Sequence, residues 1–296
     1  MLPERLKGPA LRLMPVVFVW LWSTGFIGAK YGLPYAEPFT LLMYRMLATL
    51  VLLGILARLL PVRWPTPRQA LHTAVVGLLI HGLYLGGVFY AIEGEMPAGL
   101  ASLIVGLQPL LTALAAVLFL REQVSARQWL GLLLGLGGVS LVLMEKLGTG
   151  PIAAFPLWTL AWILVSLLAI SLGTVYQKRY CGGVELIPGT VIQYCAAGAF
   201  FALGAFAFET RQVEWETPLL LAMGWLVLGL SIGAILLLMA LIREGAASRV
   251  ASLFYLVPPV TALEAYLLFD ERFGVLALTG GALAVLGVAL AVVRRP

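Results

Sequence analysis

The sequence predicts an all-α polytopic membrane protein whose ten transmembrane helices form two inverted five-helix repeats. Three observations lead to this fold class: an apolar composition, apolar runs along the whole chain, and a segment that occurs twice. Hydrophobic residues make up 61% of the chain and charged residues 11%, whereas soluble domains are about 45–50% apolar and 25% charged. Each run of about 20 apolar residues can cross a bilayer as a helix, and a signal peptide would account for one run only.

Clusters of proline, glycine and charged residues divide the chain into ten predicted spans. The spans cover residues 11–32, 38–59, 71–93, 97–119, 127–145, 157–178, 187–208, 218–242, 247–269 and 273–293. An even number of spans places both termini on one side of the membrane. Of the 19 lysines and arginines, four lie on the opposite side, Arg45 lies inside a span, and the remaining fourteen lie on the side of the termini. Because positive residues favour the inner face, the N- and C-termini are predicted to be cytoplasmic.

The repeated segment divides the chain into two related units. Residues 109–122 read PLLTALAAVLFLRE and residues 258–271 read PPVTALEAYLLFDE, with seven of fourteen positions identical at an offset of 149. The predicted units are residues 1–146 and 147–296, joined in one integrated transmembrane domain. Since five spans is an odd number, the second unit enters the membrane from the opposite face. Inverted repeats are typical of carriers with alternating access to a central site, although some channels are also built in this way.

Two long motifs carry a resemblance to a known family. They are YAIEGEMPAGLASLIVGLQPLLTALAAVLFLREQVSARQWLGLLLGLGGVSLVL at 90–143 and MALIREGAASRVASLFYLVPPVTALEAYLLFDERFGVLALTGGALAVLGVALAVV at 239–293. Both resemble EamA-type members of the drug/metabolite transporter superfamily, and the chain as a whole is most similar to the YddG-type exporters of aromatic amino acids. The resemblance implies ten helices in inverted halves and export of small metabolites across the bacterial inner membrane. The expected function is therefore secondary export of small amphipathic metabolites, with aromatic amino acids as candidate substrates. A passive channel or facilitator for the same solutes is the alternative.

Polar and aromatic residues near the middle of several spans predict a central substrate-binding cavity, because polar groups are costly in hydrocarbon. His81 and Tyr84 lie three residues apart in span 3, so they share a helix face. The alternative for His81 is a packed histidine bonded to a backbone carbonyl, and for the aromatic residues it is packing between helices. The further candidate substrate-binding residues, from five other spans, are Trp20, Ser23, Thr24, Gln108, Trp162, Ser231, Ser252 and Tyr255.

Prolines within two equivalent spans predict interrupted helices. Pro109 and Pro258 occupy corresponding positions of the repeat, and Pro259 follows directly. Proline removes a backbone donor and clashes with the preceding turn. Helix breaks at matching sites of two halves are typical of a transport site, and they can act as hinges for gating. A kink that serves shape alone is the alternative.

Two charged residues lie within the predicted spans and are candidates for gating. Arg45 in span 2 and Glu264 in span 9 lie at depths that agree within about one helical turn. They can therefore form an ion pair across the two halves near the outer face. Alternatively, each side chain snorkels toward the membrane surface.

The remaining patterns exclude several classes of function. GLSIG at 229–233 fits the hydrolase Gly-x-Ser-x-Gly pattern, but it lies in an apolar helix rather than at a strand–turn–helix elbow. The sequence contains no P-loop, dinucleotide fingerprint or metal-ligand cluster, so we expect no enzyme activity, no cofactor, no metal and no ATP-driven transport by this chain alone. The net charge of +5 reflects topology rather than nucleic-acid binding. The predicted partners are a small-molecule substrate and the lipid bilayer.

Overall fold

The computed structural model describes residues 4–120, 125–148, 155–234, 237, 253 and 256–292, and their regular structure is helical. We number the helices α1 to α10 in chain order. Their bounds are α1 Glu4–Gly32, α2 Pro38–Leu59, α3 Pro67–Glu93, α4a Ala98–Val105, α4b Gln108–Leu120, α5 Ala126–Gly148, α6 Leu157–Tyr180, α7 Leu186–Phe208, α8 Thr217–Ala234, α9 Val257–Phe269 and α10 Val275–Val292.

The helices have the lengths and composition of a polytopic membrane protein. Within the described ranges, seven helices are long and apolar enough to cross a membrane, and shorter apolar helices lie in α5, α9 and α10. The predicted spans follow these helices closely: residues 38–59 are α2, and the span 187–208 differs from α7 by one residue. The predicted end of span 8 and the predicted start of span 9 lie outside the described residues.

Local capping explains where individual helices begin and end. At the start of α3, Gln69 N donates to Thr66 Oγ1 (3.4 Å) and Thr66 N donates to Gln69 Oε1 (3.0 Å), which forms a capping box. Pro67 occupies the first turn, where the missing N–H has no helical partner anyway. The helix therefore begins before residue 71, the predicted start of span 3. α9 ends at Phe269, and its C-cap Asp270 has a φ of 53°, a left-handed conformation that Asp adopts readily.

Three pairs of helices at equivalent positions of the two repeats pack against each other and run antiparallel. α5 and α10 approach so closely that a Cβ on Gly138 would overlap the Gly280 carbonyl oxygen, while Gly287 meets the backbone at Gly135. In α4 and α9, Gly99 lies beside Ala262, and the later part of α4 lies beside the start of α9. α2 and α7 also pack along their length. Each pair combines one helix from each half.

The halves also interlock through α3 and α8, the third helix of each half. α3 packs between α6 and α7 of the other half. A Cβ on Gly77 would overlap the backbone at Gln193, and one on Gly87 would overlap Ser166 Oγ, so glycine permits both close crossings. α8 correspondingly packs against α1 and α2. Most of the buried core therefore lies between the halves rather than within each of them.

π-helical turns widen α3 and α8 at matching places. Residues Leu78–Leu83 of α3 are π-helical, and so are residues Trp225–Ala234 of α8. With the repeat offset of 149, residues 78–83 correspond to 227–232, which lie inside the second π-helical segment. π turns are rare and occur frequently at functional sites. These two contain His81 and Ser231, both predicted from the sequence as binding residues.

The fourth helix is interrupted at residues 106–107, close to Pro109. α4a ends at Val105, residues 106–107 form a turn, and Pro109 lies in the first turn of α4b. Pro258 lies in the first turn of α9, next to the exposed Pro259. A Cβ on Gly106 would be 2.6 Å from Pro258 Cγ, so the break in α4 lies against the start of α9. The role of these prolines in gating stays a prediction.

Candidate functional site

A cavity of about 90 Å³ lies between the two halves. Helices α1, α2 and α3 of the first half line it together with α6, α7 and α8 of the second half. Arg45 and His81 face a wall that is otherwise aliphatic and aromatic. The aromatic residues of the wall are Trp22, Phe26, Tyr84, Phe89 and Tyr194. A concave, mainly apolar site with a few polar groups is typical of small-molecule binding.

His81 and Tyr84 line the cavity from the π-helical part of α3 and the turn that follows it. His81 Nε2 donates to Gln193 Oε1 of α7 at 3.1 Å, since an amide oxygen can only accept. The His81 ring also lies 4.6 Å from the Tyr194 ring, measured between centroids. The shared face predicted from the spacing of His81 and Tyr84 is present, and their role in substrate binding stays a prediction.

Arg45 is the cation of the cavity, and it is only 5% exposed. Its Nε and Nη2 atoms both donate to Ser231 Oγ of α8, each at 3.3 Å. Ser231 is therefore linked to the cavity through Arg45 instead of lining it. Among the described residues, no carboxylate lies within ion-pair distance of Arg45.

Arg45 and Glu264 do not pair in this structure, so the predicted ion pair across the halves is wrong for the conformation seen here. Glu264 Oε1 accepts instead from Ser23 Oγ at 2.8 Å, and Glu264 Oε2 is buried with no hydrogen-bond partner among the residues that the structure describes. The two residues match in depth but lie in different parts of the bundle. α2 packs against α3, α7 and α8, whereas α9 packs against α1 and α4.

Of the three predicted binding residues in α1, none lines the cavity. Trp20 is 48% exposed and lies edge-on to Trp225, with 5.4 Å between ring centroids. Trp22 lines the cavity in its place, because two residues turn an α-helix by about 200° and so face opposite ways. Thr24 Oγ1 accepts from Trp225 Nε1 at 2.8 Å, which joins α1 to α8.

The other predicted binding residues are located around the cavity or lie outside the described part. Gln108 Nε2 donates to Thr174 Oγ1 of α6 at 3.4 Å, beside the break in α4. Trp162 of α6 stacks on Tyr90 of α3, with 5.1 Å between ring centroids. Both join helices without lining the cavity. Ser252 and Tyr255 lie outside the described residues.

The sequence-based prediction missed two polar residues of span 7 that contribute to the site. Tyr194 lines the cavity, and Gln193 binds His81. Both lie near the middle of the span, so the depth criterion used for the other spans also selects them. Within the part of the chain that the structure describes, no three His, Cys, Asp or Glu side chains come together as metal ligands.

A buried acid joins the halves at the end of the bundle where α2 begins, which the charge pattern predicts to be outside. Glu209, at the end of α7, is 8% exposed. Its carboxylate accepts from Phe39 N (2.8 Å) and Thr40 N (2.7 Å) at the start of α2, and from Tyr90 OH of α3 (2.9 Å). Free N–H groups and the helix dipole both favour an anion at a helix start.

Two further acids cap helices of the opposite half at the same end. Glu271 follows α9, and its carboxylate accepts from Ala98 N (3.1 Å) and Gly99 N (3.3 Å) at the start of α4a. Glu145 of α5 accepts from Gly274 N (2.7 Å) and Ala277 N (2.9 Å) at the start of α10. Each of the three acids thus binds a helix of the other half.

Curated relatives share most of their length with this chain. The uncharacterized transporter YvbV of Bacillus subtilis (strain 168) is 28% identical over 296 residues, which is 94% of this chain and 90% of that protein. The uncharacterized inner membrane transporter YedA of Escherichia coli (strain K12) is 28% identical and covers 82% of this chain and 78% of its own. A probable terminal-alkyne amino-acid exporter of Streptantibioticus cattleyicolor is 29% identical, with 93% and 91% covered.

A comparison with solved structures and a match to a family model agree with these sequence similarities. A protein of known crystal structure superposes with a TM-score of 0.64 at 23% identity, covering 94% of this chain and 95% of that one, which establishes likeness of fold alone. The EamA-like transporter family matches the chain twice, at residues 12–144 and 157–293. With two matches that together span most of its length, the chain belongs to the EamA-like transporter family and is a multi-pass membrane transporter.

Proposed function

We propose that this transporter is a secondary carrier that exports small amphipathic metabolites from the cytoplasm, with aromatic amino acids as candidate substrates. The observation that carries the proposal is the cavity enclosed by α1–α3 of one half and α6–α8 of the other. Its aromatic wall suits an apolar or aromatic side group, and His81 and Arg45 suit a polar one. The relative from Streptantibioticus cattleyicolor, a probable terminal-alkyne amino-acid exporter, supports this substrate class.

The two halves, residues 1–146 and 147–296, are inverted five-helix repeats that form one transmembrane domain of ten helices. The antiparallel packing of equivalent helices supports this inversion, because a parallel repeat would orient both members of a pair alike. The matching π-helical turns of α3 and α8 support it as well. The chain lies in the bacterial inner membrane with both termini in the cytoplasm, as the excess of lysine and arginine on that side indicates.

Alternating access exposes the cavity to one side of the membrane at a time. The closure of the outer end that this requires is supported by Glu271, which forms an ion pair with Lys30 of α1 and caps α4a. This carboxylate joins α1, α4 and the segment after α9 above the cavity. The break in α4, which lies against Pro258, is the hinge at which these helices bend.

Counter-flow in proteoliposomes tests the proposal. The purified protein is reconstituted and loaded with an unlabelled amino acid, and entry of labelled L-phenylalanine is followed. A carrier shows saturation and stimulation by substrate on the opposite side, because loaded and empty sites reorient at different rates. Uptake that is neither saturable nor stimulated supports the alternative, a passive channel or facilitator. Absence of transport for every amino acid of a full panel contradicts the proposal.

A further inference from the structure

Arg45 carries an uncompensated positive charge into the cavity. The side chain is 5% exposed, and its only hydrogen bonds within the described residues are the two to the neutral Ser231 Oγ. A buried guanidinium is normally paired with an acid, because removing a charge from water is costly. The acid at a similar depth, Glu264, binds Ser23 instead. Within the described residues, the protein therefore supplies no counter-charge to this cation of the cavity.

The hydrogen bonds to Ser231 leave one edge of the guanidinium free. A guanidinium has five N–H donors in a planar arrangement. Ser231 occupies the edge formed by Nε and Nη2. The edge formed by Nη1 and the second hydrogen of Nη2 has no acceptor among the described residues, and Nη1 is not among the buried atoms that are shut off without a partner. Two parallel N–H donors in this arrangement match the two oxygens of a carboxylate.

We infer that Arg45 is the carboxylate-binding residue of the cavity, and that the substrates are monocarboxylates with an apolar or aromatic group, including amino acids. The inference rests on the proposed transport function and narrows its substrate class. The substrate carboxylate supplies the charge that Arg45 lacks, while the apolar group lies against Trp22, Phe26 and Phe89.

The same arrangement disfavours cations. None of the described side chains that line the cavity is a carboxylate. An organic amine without a carboxylate would face Arg45 with no acid to offset the repulsion between like charges. The ammonium group of an amino acid is tolerated because its own carboxylate neutralises Arg45. Cationic drugs are therefore excluded from this site.

Ligand binding to the purified full-length protein tests the inference separately from transport. The probes are L-phenylalanine, 3-phenylpropionate, which lacks the amine, and 2-phenylethylamine and L-phenylalaninamide, which lack the carboxylate. Affinity is measured from the concentration dependence of the shift in thermal unfolding, since a ligand that binds only the folded state raises its stability. The two carboxylates are expected to stabilise the wild-type protein, and the amine and amide are not.

The variants are Arg45→Lys, which keeps the charge but loses the paired donors, and Arg45→Gln, which loses both. Arg58→Gln is the matched control, because Arg58 lies on the exposed end of the same helix. Arg45→Lys is expected to weaken carboxylate binding about ten- to hundredfold, because losing a hydrogen bond to a charged group changes affinity by about this factor. Arg58→Gln should leave the affinities unchanged. Arg45→Lys serves as the folded variant if Arg45→Gln does not fold.

Three results would overturn the inference. The first is equal binding of the amine and the carboxylates to the wild-type protein, and the second is an unchanged preference for carboxylates in Arg45→Lys. The third is failure of both carboxylates to bind the wild-type protein. A purely structural Arg45 would lower the unfolding temperature of its variants without altering the selectivity between carboxylate and amine. Carboxylate binding through Arg45 without any transport would contradict the proposed export and leave this inference standing.

Discussion

Glu37 and Glu185 are the N-cap residues of α2 and α7, and each carboxylate binds the segment that follows the end of the other helix. Glu37 Oε2 accepts from Arg211 N at 2.9 Å, beyond the end of α7. Glu185 Oε2 accepts from Arg63 N at 2.9 Å, beyond the end of α2. Both acids are helix N-caps with nearly the same backbone angles, −62° and 151° against −65° and 146°. Hydrogen bonds to these two carboxylates therefore hold α2 and α7 together at both ends of the pair.

Removing either carboxylate should destabilise the protein to a similar extent. We expect Glu37→Ala and Glu185→Ala each to lower the free energy of unfolding by about 1 kcal/mol, as for the loss of one hydrogen bond between the halves. Because the two contacts lie at opposite ends of the helix pair, the losses should add in the double variant. Thermal or denaturant unfolding in detergent measures this. A strongly non-additive double variant would mean that the two ends are coupled through the helices.

A covalent link between α2 and α7 should leave transport intact, since we expect this pair to move as one body. A Cβ on Gly198 of α7 would lie 3.4 Å from Met46 Cβ of α2, which is close to the Cβ separation in a disulfide. Met46→Cys with Gly198→Cys, in a variant without Cys181 and Cys195, should therefore cross-link on oxidation. Counter-flow before and after oxidation is the measurement.

A second cross-link, between α4a and α9, serves as the comparison. Gly99 lies beside Ala262, so Gly99→Cys with Ala262→Cys joins two helices that we expect to separate when the outer end opens. Oxidation should stop transport in this variant, and reduction should restore it. Inhibition by the α2–α7 link, or full activity with the α4a–α9 link, would contradict the expected division into fixed and moving helices.

Neutralising Glu271 should open the outer end. Glu271→Gln removes the charge that pairs with Lys30 and that favours the start of α4a. We expect a cysteine introduced at Val88, which lines the cavity, to react several-fold faster with a membrane-impermeant thiol reagent from outside, because each kcal/mol of lost closure changes the populations about fivefold. Glu145→Gln, which removes the corresponding charge from the start of α10, is the control and should not change the rate. Equal acceleration by both variants would indicate general loosening of the outer end.

Glu264 should be energetically coupled to Ser23 and independent of Arg45. Glu264 Oε1 lies 2.8 Å from Ser23 Oγ, while Arg45 binds Ser231. In double-mutant cycles on thermal stability, we expect a coupling of about 1 kcal/mol between Glu264→Ala and Ser23→Ala. Losses from Glu264→Ala and Arg45→Ala should add within about 0.5 kcal/mol. A large coupling energy between Arg45 and Glu264 would mean that they pair in another conformation.

The two histidines of α3 should differ in their importance for transport. His81→Ala should lower the apparent affinity for L-phenylalanine about fivefold, because the loss of one neutral hydrogen bond changes a binding constant by about that factor. Tyr84→Ala should change the affinity in the same direction. His72→Ala is the control, because the His72 side chain lies near the start of α3 and does not line the cavity. Its Nδ1 lies 2.8 Å from Tyr176 OH. Concentration dependence of counter-flow separates affinity from maximal rate. Normal transport by His81→Ala would mean that His81 serves packing.

The positions of the helices along the chain follow from the sequence because they depend on local properties. The length of an apolar run predicts α2 at residues 38–59, and a proline within a run predicts the break before Pro109. The identities between 109–122 and 258–271 reveal the two halves. Hydrophobicity and proline act on the residues of one helix, so no knowledge of its neighbours is needed.

Which residues meet across the bundle was decided only by the tertiary structure. Spacing along a helix is readable from the sequence, and the spacing of His81 and Tyr84 predicted the shared face from which both line the cavity. The direction in which a side chain points is set by the rotation of its helix against its neighbours. That rotation turns Trp22 rather than Trp20 into the cavity, and it gives Arg45 the hydroxyl of Ser231 instead of the carboxylate of Glu264. The rotation of each helix is determined by close contacts such as that between Gly77 and the backbone of Gln193. These contacts join residues more than a hundred positions apart in the sequence.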